Sequence, residues 1–455
     1  MINSKKFLIV LIFGFIISIF LSHYNLENFD RHDGVEKKHL MVMGDINLIW
    51  KEAETFKRDF FEQDKSFLES GKEYTRTYLP SKILAIYSKI FNVNLYENYE
   101  KNIVAIGGKY FYLIFQSILY YLSVIFFYLK LREFYKNENL SFYVLLFLCL
   151  EPTIMQWHST LWTESIYLSL QLILFSLIIS KNKSFINFLC LGIVSGLMFY
   201  QKTVFIFLIF PIIIYFLSIK FDKKILKIIL ILITYGGFLL VLGFSNLKKT
   251  GVFYILPLQT KDAHYIHLLP QILEKKGLEI DFDKFLIEEE EKWKYENNFN
   301  EDNFEDEIKF NNYRQSLIIE EIKDNKIITL QIYMKKIFHH ALLNPVQTFY
   351  WHEYNKTEYE IEYHLSQDKK KWLFFRVIYS ATIYLIIFFG LKRMLRDSKK
   401  IKFHLFLILC LIYYALMLGW VGNTRYFVPS IMILSIFFSN GIYTILNFNK
   451  KNEIN

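Results

Sequence analysis

Charged side chains near the ends of apolar segments are the residues of this chain whose types suit chemistry. Asp45 follows the first apolar segment, Glu164 begins a later one, and Lys202 and Arg425 each lie in a short connection between two others. A carboxylate beside a hydroxyl can act as a general base. An ammonium and a guanidinium suit a phosphate, the first as a point charge and the second as a fork of donors. The four residues together fit chemistry on a phosphorylated molecule at a membrane surface.

Each of these residues also has a structural interpretation. Asp45 precedes the good helix formers of LIWKEAETF and suits a helix N-cap. Glu164 suits an ion pair with a neighbouring lysine or a contact with a tyrosine hydroxyl. Lys202 and Arg425 suit side chains that extend to lipid headgroups. Both interpretations stand for each residue.

Membrane spans are the elements that position these side chains. Of the 455 residues, 53% are hydrophobic and 19% are aromatic, in runs too long for an ordinary soluble enzyme. Segments of about 17 to 22 apolar residues, enough to cross a hydrocarbon core of roughly 30 Å, recur along the chain. The sequence therefore predicts an all-α polytopic membrane protein with about ten transmembrane helices. The predicted spans are 7–23, 104–128, 140–157, 161–180, 186–201, 203–219, 226–245, 372–391, 403–420 and 427–446.

Lysine and arginine clusters in the short connections predict the orientation of these helices. Lys5 and Lys6 precede the first span, Lys450 and Lys451 follow the last, and the other clusters fall in every second connection. Because such clusters stay on the cytoplasmic side, both termini are predicted to be cytoplasmic in a multi-pass protein of the cell (inner, cytoplasmic) membrane. This bias also accounts for the net charge of +9, so no nucleic-acid partner is inferred.

Three parts of the chain are predicted from this pattern. Residues 1–245 form a transmembrane module whose first outer loop is 24–103, residues 246–371 form a large extracytoplasmic loop, and residues 372–455 carry the C-terminal transmembrane helices. In the large loop, IIEEIKDNKIITLQIYMKKIFHHALLNP mixes charges with apolar residues at helical spacing. Such a pattern predicts an amphipathic helix or pair of helices on the outer interface. Both outer loops are expected to carry interfacial helices.

Several motifs resemble the GT-C superfamily of membrane glycosyltransferases. In the first outer loop an acid (Asp45) precedes an aromatic residue and an alanine, and RTYLPSKILAIYSKIF follows from Arg76. EPTIMQWHSTLWTESIY supplies a proline and a Thr-Glu pair that ends at Glu164, and GIVSGLMFYQKTVFIFLIFP places Lys202 where the family has arginine. SNLKKTGVFYILP and RYFVPSIMILSIFFSNGIYTIL extend the likeness towards the C-terminus. The resemblance is to the bacterial protein mannosyltransferase and aminoarabinose transferase branch, which is like glycosyltransferase family 39.

The resemblance implies an inverting transfer of a sugar from a polyprenyl-phosphate donor to a hydroxyl of a lipid, glycan or protein acceptor on the outer side of the membrane. It implies Asp45 as the general base. The residues implied to bind the substrate are Arg76 at the mouth of the site, Glu164 beside the sugar or Lys202, Lys202 and Arg425 at the phosphate, and also Tyr426. Membrane lipids would surround the helices, and no nucleotide-binding loop is present in the sequence.

A divalent metal is a further implication, because some relatives use one. Asp30, Asp33 and Glu36 cluster in DRHDGVEKK without a recognisable ligand spacing, so no metal ligand and no other cofactor is assigned.

Other functions stay open beside the transferase. One is a lipid or glycolipid transporter or flippase, whose signature is two related halves with binding at mid-bilayer. Another is a non-catalytic envelope assembly protein, and a third is an oligosaccharide ligase or polymerase with a different membrane fold. The sequence shows no related halves, and the candidate charges collect at the outer boundary, which favours the transferase.

Overall fold

The structure of the protein is a computed structural model. It describes residues 4–28, 45–70, 79–98, 103–104, 106–158, 163–256, 265, 268–276, 282–300, 303–343, 358–418 and 427–452. These residues are almost entirely helical, which confirms the predicted all-α class.

The N-terminal part consists of two long helices and the short elements between them. The long helices are α1 (Ser4–Asn28) and α4 (Ile106–Tyr135). Between them lie α2 (Asp45–Lys57), which continues as a π-helical turn over Arg58–Glu62, and α3 (Leu79–Ile90). Two short strands, β1 (Tyr96–Asn98) and β2 (Ile103–Val104), pair antiparallel before α4.

Six further helices complete the first transmembrane module. They are α5 (Glu138–Leu150), α6 (Pro152–His158), α7 (Glu164–Ile179), α8 (Phe185–Gln201), α9 (Ile209–Ser218) and α10 (Lys224–Thr250). A 3-10 turn, Thr203–Phe207, connects α8 to α9.

Four helices outside the bundle and three long apolar ones form the rest. The first group is α11 (Leu269–Lys275), α12 (Phe282–Glu296), α13 (Phe304–Asp324) and α14 (Lys326–Ala341). The second group is α15 (Glu358–Arg396), α16 (Ile401–Leu418) and α17 (Val428–Asn452).

The described helices include apolar segments at every predicted span. Five of them, in α1, α4, α10, α15 and α17, are long and apolar enough to cross a membrane. The shorter apolar helices are α5, α7, α8, the 3-10 turn with α9, and α16. The chain is therefore a multi-pass membrane protein, as its composition predicts.

Two predicted spans are not continuous α-helices. The third span was predicted over 140–157, but α5 ends at Leu150 and α6 begins at Pro152. Proline cannot continue a helix, because its ring removes a donor and clashes with the preceding turn. The sixth span, predicted over 203–219, begins with the 3-10 turn and has only 10 α-helical residues.

The two ends of the bundle differ in charge. At one end, which we name the basic side, the Lys402 ammonium donates to the Ser218 carbonyl and the Tyr135 hydroxyl lies 3.2 Å from the His404 ring. Lysines from three of the basic clusters lie over rings there: Lys183 over Phe216, Lys227 over Phe221 and Lys400 over Tyr135. The opposite end, which we name the loop side, carries α2, α3 and the C-termini of α8 and α10. This grouping agrees with the positive-inside pattern, and the cellular orientation stays a prediction.

The backbones of α15 and α17 pack directly against each other at two glycines. A Cβ added at Gly390 would lie 1.8 Å from the Phe437 carbonyl oxygen, and one added at Gly441 would lie 1.9 Å from that of Ile386. Backbones can approach so closely only at glycine. The two helices therefore form one unit.

Candidate functional site

The α7–α8 hairpin brings two predicted site residues together. α7 begins at Glu164, and the chain turns back at Ser184, whose hydroxyl oxygen accepts the Asn187 amide proton at 3.3 Å and caps α8. α8 ends at Gln201, and Lys202 is non-helical with φ −149° and ψ 121°. Because α7 and α8 are antiparallel, Lys202 lies at the same end of the hairpin as Glu164.

Lys202 and Glu164 form a buried ion pair at the loop side. The Lys202 ammonium donates to a Glu164 carboxylate oxygen at 2.6 Å. Their side chains are 10% and 1% exposed, so little solvent separates or screens the charges. The carboxylate also lies in the first turn of α7, where the helix dipole favours negative charge. Sequence analysis predicted both residues as substrate-binding, and the structure places them in contact.

Gln201, the residue before Lys202, makes a second contact between the end of α8 and the start of α7. The Gln201 side-chain nitrogen donates to the Thr163 carbonyl at 2.9 Å, while the Thr163 hydroxyl lies 3.5 Å from the Glu164 carboxylate. Gln201 is fully buried, and its side-chain oxygen has no hydrogen-bond partner among the described residues. The end of α8 thus holds the start of α7 by two side chains and leaves one buried acceptor for a polar group.

Tyrosines connect the ion pair to α16. The Lys202 ammonium lies 5.8 Å from the Tyr167 ring centre, and the Tyr167 hydroxyl lies 2.7 Å from that of Tyr414. The neighbouring Tyr413 hydroxyl donates to the Val204 carbonyl, in the turn that follows Lys202. Both contacts fix the backbone and the surroundings of the ammonium from a helix more than two hundred residues away.

The start of α17 also reaches α7. The Gln171 side-chain nitrogen donates to the Pro429 carbonyl at 3.0 Å, and Phe427 and Val428 are buried. Arg425 and Tyr426, predicted to bind the substrate, lie directly before these residues and outside the described part of the chain. The described residues that follow them thus contact the helix that carries Glu164.

The first loop and the same helix contribute to one apolar cluster. Trp50 of α2 is buried, and its indole nitrogen donates to the Leu95 carbonyl at 2.9 Å. The apolar cluster around Trp50 and Ala53 includes Ile166, two residues after Glu164. α2 therefore shares an apolar cluster with the end of α7 at which the ion pair lies.

Two predicted site residues belong to this first loop. α2 begins at Asp45, so the predicted base lies at a helix N-terminus, but its side chain is outside the described residues. Arg76 also lies outside them. The roles of both residues stay predictions.

Two buried polar groups of the first loop were not predicted from the sequence. The Lys82 ammonium is 4.1 Å from the Phe56 ring centre, and the residue is 2% exposed. Its position on α3 falls among the buried Ser81, Leu84 and Ala85, a helical periodicity that could have revealed it. The buried Tyr87 hydroxyl has no partner among the described residues, and burial raises the pKa of Tyr87 to about 12, so the group is a donor at neutral pH.

Glu151 explains the break between α5 and α6. One carboxylate oxygen accepts the Ile154 amide proton at 2.8 Å, and the other accepts the Tyr379 hydroxyl proton at 3.1 Å. The first contact is a helix cap, and the second links this break to α15. These contacts give Glu151 a structural role.

The described residues contain no group of three or more His, Cys, Asp or Glu side chains that could hold a metal ion. Asp30, Asp33 and Glu36 lie outside them.

Comparison with known proteins gives a fold. No protein-family model and no curated protein matches the sequence. The archaeal oligosaccharyltransferase AglB from Archaeoglobus fulgidus, solved in complex with an inhibitory peptide and a dolichol-phosphate, aligns with 99% of this chain at 11% identity and a TM-score of 0.51. The chain has the GT-C fold. The apo form of the Archaeoglobus fulgidus oligosaccharyltransferase aligns with 96% of the chain at 11% identity and a TM-score of 0.46.

The GT-C resemblance is thus confirmed at the level of the fold. The chain covers 52% of the AglB chain, about half its length. The bacterial mannosyltransferase and aminoarabinose transferase branch is compatible with this fold and stays a prediction.

Proposed function

We propose that the protein is an integral membrane glycosyltransferase that moves a sugar from a polyprenyl-phosphate donor to an acceptor hydroxyl on the outer face of the cytoplasmic membrane. The observation that carries this proposal is the buried Lys202–Glu164 pair at the loop side of a GT-C fold. Burying two charges is costly even when they are paired, so a buried ion pair at a membrane boundary favours a functional site. The complex of AglB with a dolichol-phosphate supports a lipid-phosphate donor.

In the proposed reaction Asp45 takes the proton of the acceptor hydroxyl. The hydroxyl oxygen bonds to the anomeric carbon as the bond from that carbon to the phosphate oxygen breaks, which inverts the configuration. The phosphate leaves with the electron pair. Lys202 and Arg425 stabilise its charge, as fixed cations in a site with little water do effectively.

The other predicted residues position the substrate. Glu164 holds Lys202 until a phosphate competes for the ammonium, and it then accepts hydrogen bonds from the sugar. Arg76 and Tyr426 contact the donor at the mouth of the site. Acceptors of three classes, namely lipid, glycan and protein hydroxyls, fit this chemistry.

Mass spectrometry of envelope glycans and glycoproteins tests the proposal. Cells that lack the protein are complemented with the wild type, with Asp45→Asn, or with Asp64→Asn, at matched membrane levels. Asp64 is the matched control, because it lies exposed in the same loop and its φ of 51° is one that asparagine tolerates. We expect the wild type and Asp64→Asn to restore a sugar that Asp45→Asn does not. Equal restoration by Asp45→Asn would refute the role of Asp45 as the base.

A second assay separates a transferase from a flippase. The purified protein in detergent micelles receives a radiolabelled polyprenyl-phosphate sugar together with envelope acceptors from the deletion strain. Micelles have no second leaflet, so label that appears in the acceptor requires transfer and excludes a purely transporting role. If no label is transferred while the protein moves the same lipid across vesicles, the proposed function is wrong.

A further inference from the structure

The outward face of α14 is apolar although it lies outside the bundle. Ile327, Leu330 and Met334 are 74%, 60% and 58% exposed, and their spacing of three and four residues places them in one stripe along the helix. On the opposite face Ile332 is buried in the core that α11, α13 and α14 share. One apolar face of α14 therefore packs on α11 and α13, and a second apolar face is exposed on the opposite side of the helix.

Charge separates α14 from the other helices of the loop. It carries Lys326, Lys335 and Lys336 and no acidic residue, whereas α12 and α13 each carry six acidic and three basic residues. Lys326 and Lys335 are exposed on the two flanks of the apolar stripe. An apolar face with lysines at its borders fits a surface of acyl chains covered by anionic headgroups.

A contact with α16 shows where along the bundle this apolar stripe lies. The Tyr333 hydroxyl donates to the Ala415 carbonyl at 3.1 Å and also to the Leu416 carbonyl, at the loop-side end of α16. On α16, Ile412 and Leu416 are 49% and 60% exposed, so they belong to the surface that faces lipid. α14 therefore meets the bundle where its lipid-facing surface ends.

The far end of α14 is fixed as well. The Leu343 amide donates to the Ser380 hydroxyl at 2.9 Å, and the Arg376 guanidinium donates to the Leu342 carbonyl at 3.2 Å. The Tyr384 hydroxyl donates to the Ala341 carbonyl at 2.6 Å. With α15 at one end and α16 near its middle, α14 is held along the membrane boundary.

We propose that α14 binds anionic phospholipid on the loop side: Ile327, Leu330 and Met334 insert among the acyl chains, and Lys326 and Lys335 contact the headgroups. The outward face of α14 would therefore contact the loop-side leaflet at negatively charged lipids, whether or not the protein is a transferase. The consequence is that the membrane adds to the contacts with α15 and α16 that hold the large loop against the bundle.

Site-directed spin labelling of the full-length chain in vesicles tests this inference. Nitroxides are placed by Met334→Cys on the stripe and by Lys335→Cys on its flank, in a parent with Cys190→Ala. Cys149 and Cys410 are buried in the bundle, and the parent treated with the label serves as the blank. Collision rates with oxygen, which concentrates in lipid, and with a nickel chelate, which stays in water, are measured in vesicles of phosphatidylglycerol with phosphatidylcholine.

We expect the label at position 334 to collide more often with oxygen than with the nickel chelate. At position 335 we expect more collisions with the nickel chelate than with oxygen. A Met334 label open to nickel would place the stripe in water, and a label closed to both reagents would show that a second copy or another protein covers it. Either result overturns the proposal.

Removal of charge tests the lipid class. In the Met334→Cys chain, Lys326→Gln with Lys335→Gln should lower the ratio of inserted to solvated helix by about fivefold per lysine in anionic vesicles. It should have no effect in phosphatidylcholine alone. If the ratio of inserted to solvated helix is the same with and without the two lysines in both kinds of vesicle, α14 has no preference for anionic lipid.

Discussion

Removal of one partner of the Glu164–Lys202 pair should destabilise the protein far more than removal of both. Glu164→Gln leaves the Lys202 ammonium buried beside a neutral amide, and Lys202→Met leaves a buried carboxylate. Because the partners are only 1% and 10% exposed, each single substitution is expected to cost about 3–5 kcal/mol. The double variant removes both charges and should cost less than either single one.

Unfolding by SDS in dodecyl-maltoside micelles, followed by circular dichroism, gives the free energies of the four chains. We expect a coupling energy of at least about 2 kcal/mol, since the two groups are in direct contact. Lys202→Arg keeps the charge and should recover most of the loss. Glu69→Gln serves as a control, because its pair with Lys248 is half-exposed and should contribute nothing measurable.

Additive losses in the single and double variants would contradict a buried charge pair. If each single variant loses less than about 1 kcal/mol and the double variant loses their sum, the pair is solvated and not a buried charge pair.

Three further perturbations test other parts of the structure. Gly390→Ala should push α15 from α17 and cost about 1–3 kcal/mol in the same SDS assay, whereas Gly236→Ala, where nothing lies within 4 Å, should be neutral or stabilising. Trp50→Phe leaves the Leu95 carbonyl without its donor, and a loss of about 1–3 kcal/mol should appear with faster proteolysis of the first loop. Burial lowers the pKa of Lys183 to about 8 from a usual 10.5, so the unfolded chain binds more protons between these values and the melting temperature should rise with pH there. Lys183→Met should remove that rise.

Hydropathy alone was enough to locate the apolar helices. Long apolar runs must form helices in a membrane, because no water satisfies the backbone there. The helix boundaries were less predictable, since polar turns extend beyond the bilayer: α10 runs to Thr250 and α15 begins at Glu358, both inside the predicted large loop of 246–371. The division of the chain into three parts stays a prediction.

The contact between Glu164 and Lys202 could in principle be read from the sequence. The two residues lie 38 positions apart, and the turn between α7 and α8 falls midway, so an antiparallel hairpin must return one to the level of the other. The tyrosine contacts could not be predicted in this way. Tyr167 meets Tyr414 across 247 positions, and only the packing of α16 on α7 brings them together.

The short helices near the site have a consequence for the surrounding bilayer. At 1.5 Å per residue, α8 with 17 residues is roughly 26 Å long, and α10 with 27 residues is roughly 40 Å. Lipids beside α8 therefore meet a hydrophobic belt shorter than the usual core of about 30 Å, whereas α10 crosses that core fully and extends beyond it with its polar last turn. The bilayer is expected to be thin on that flank, so the protein should favour short-chain lipids and partition into the thinner regions of a membrane.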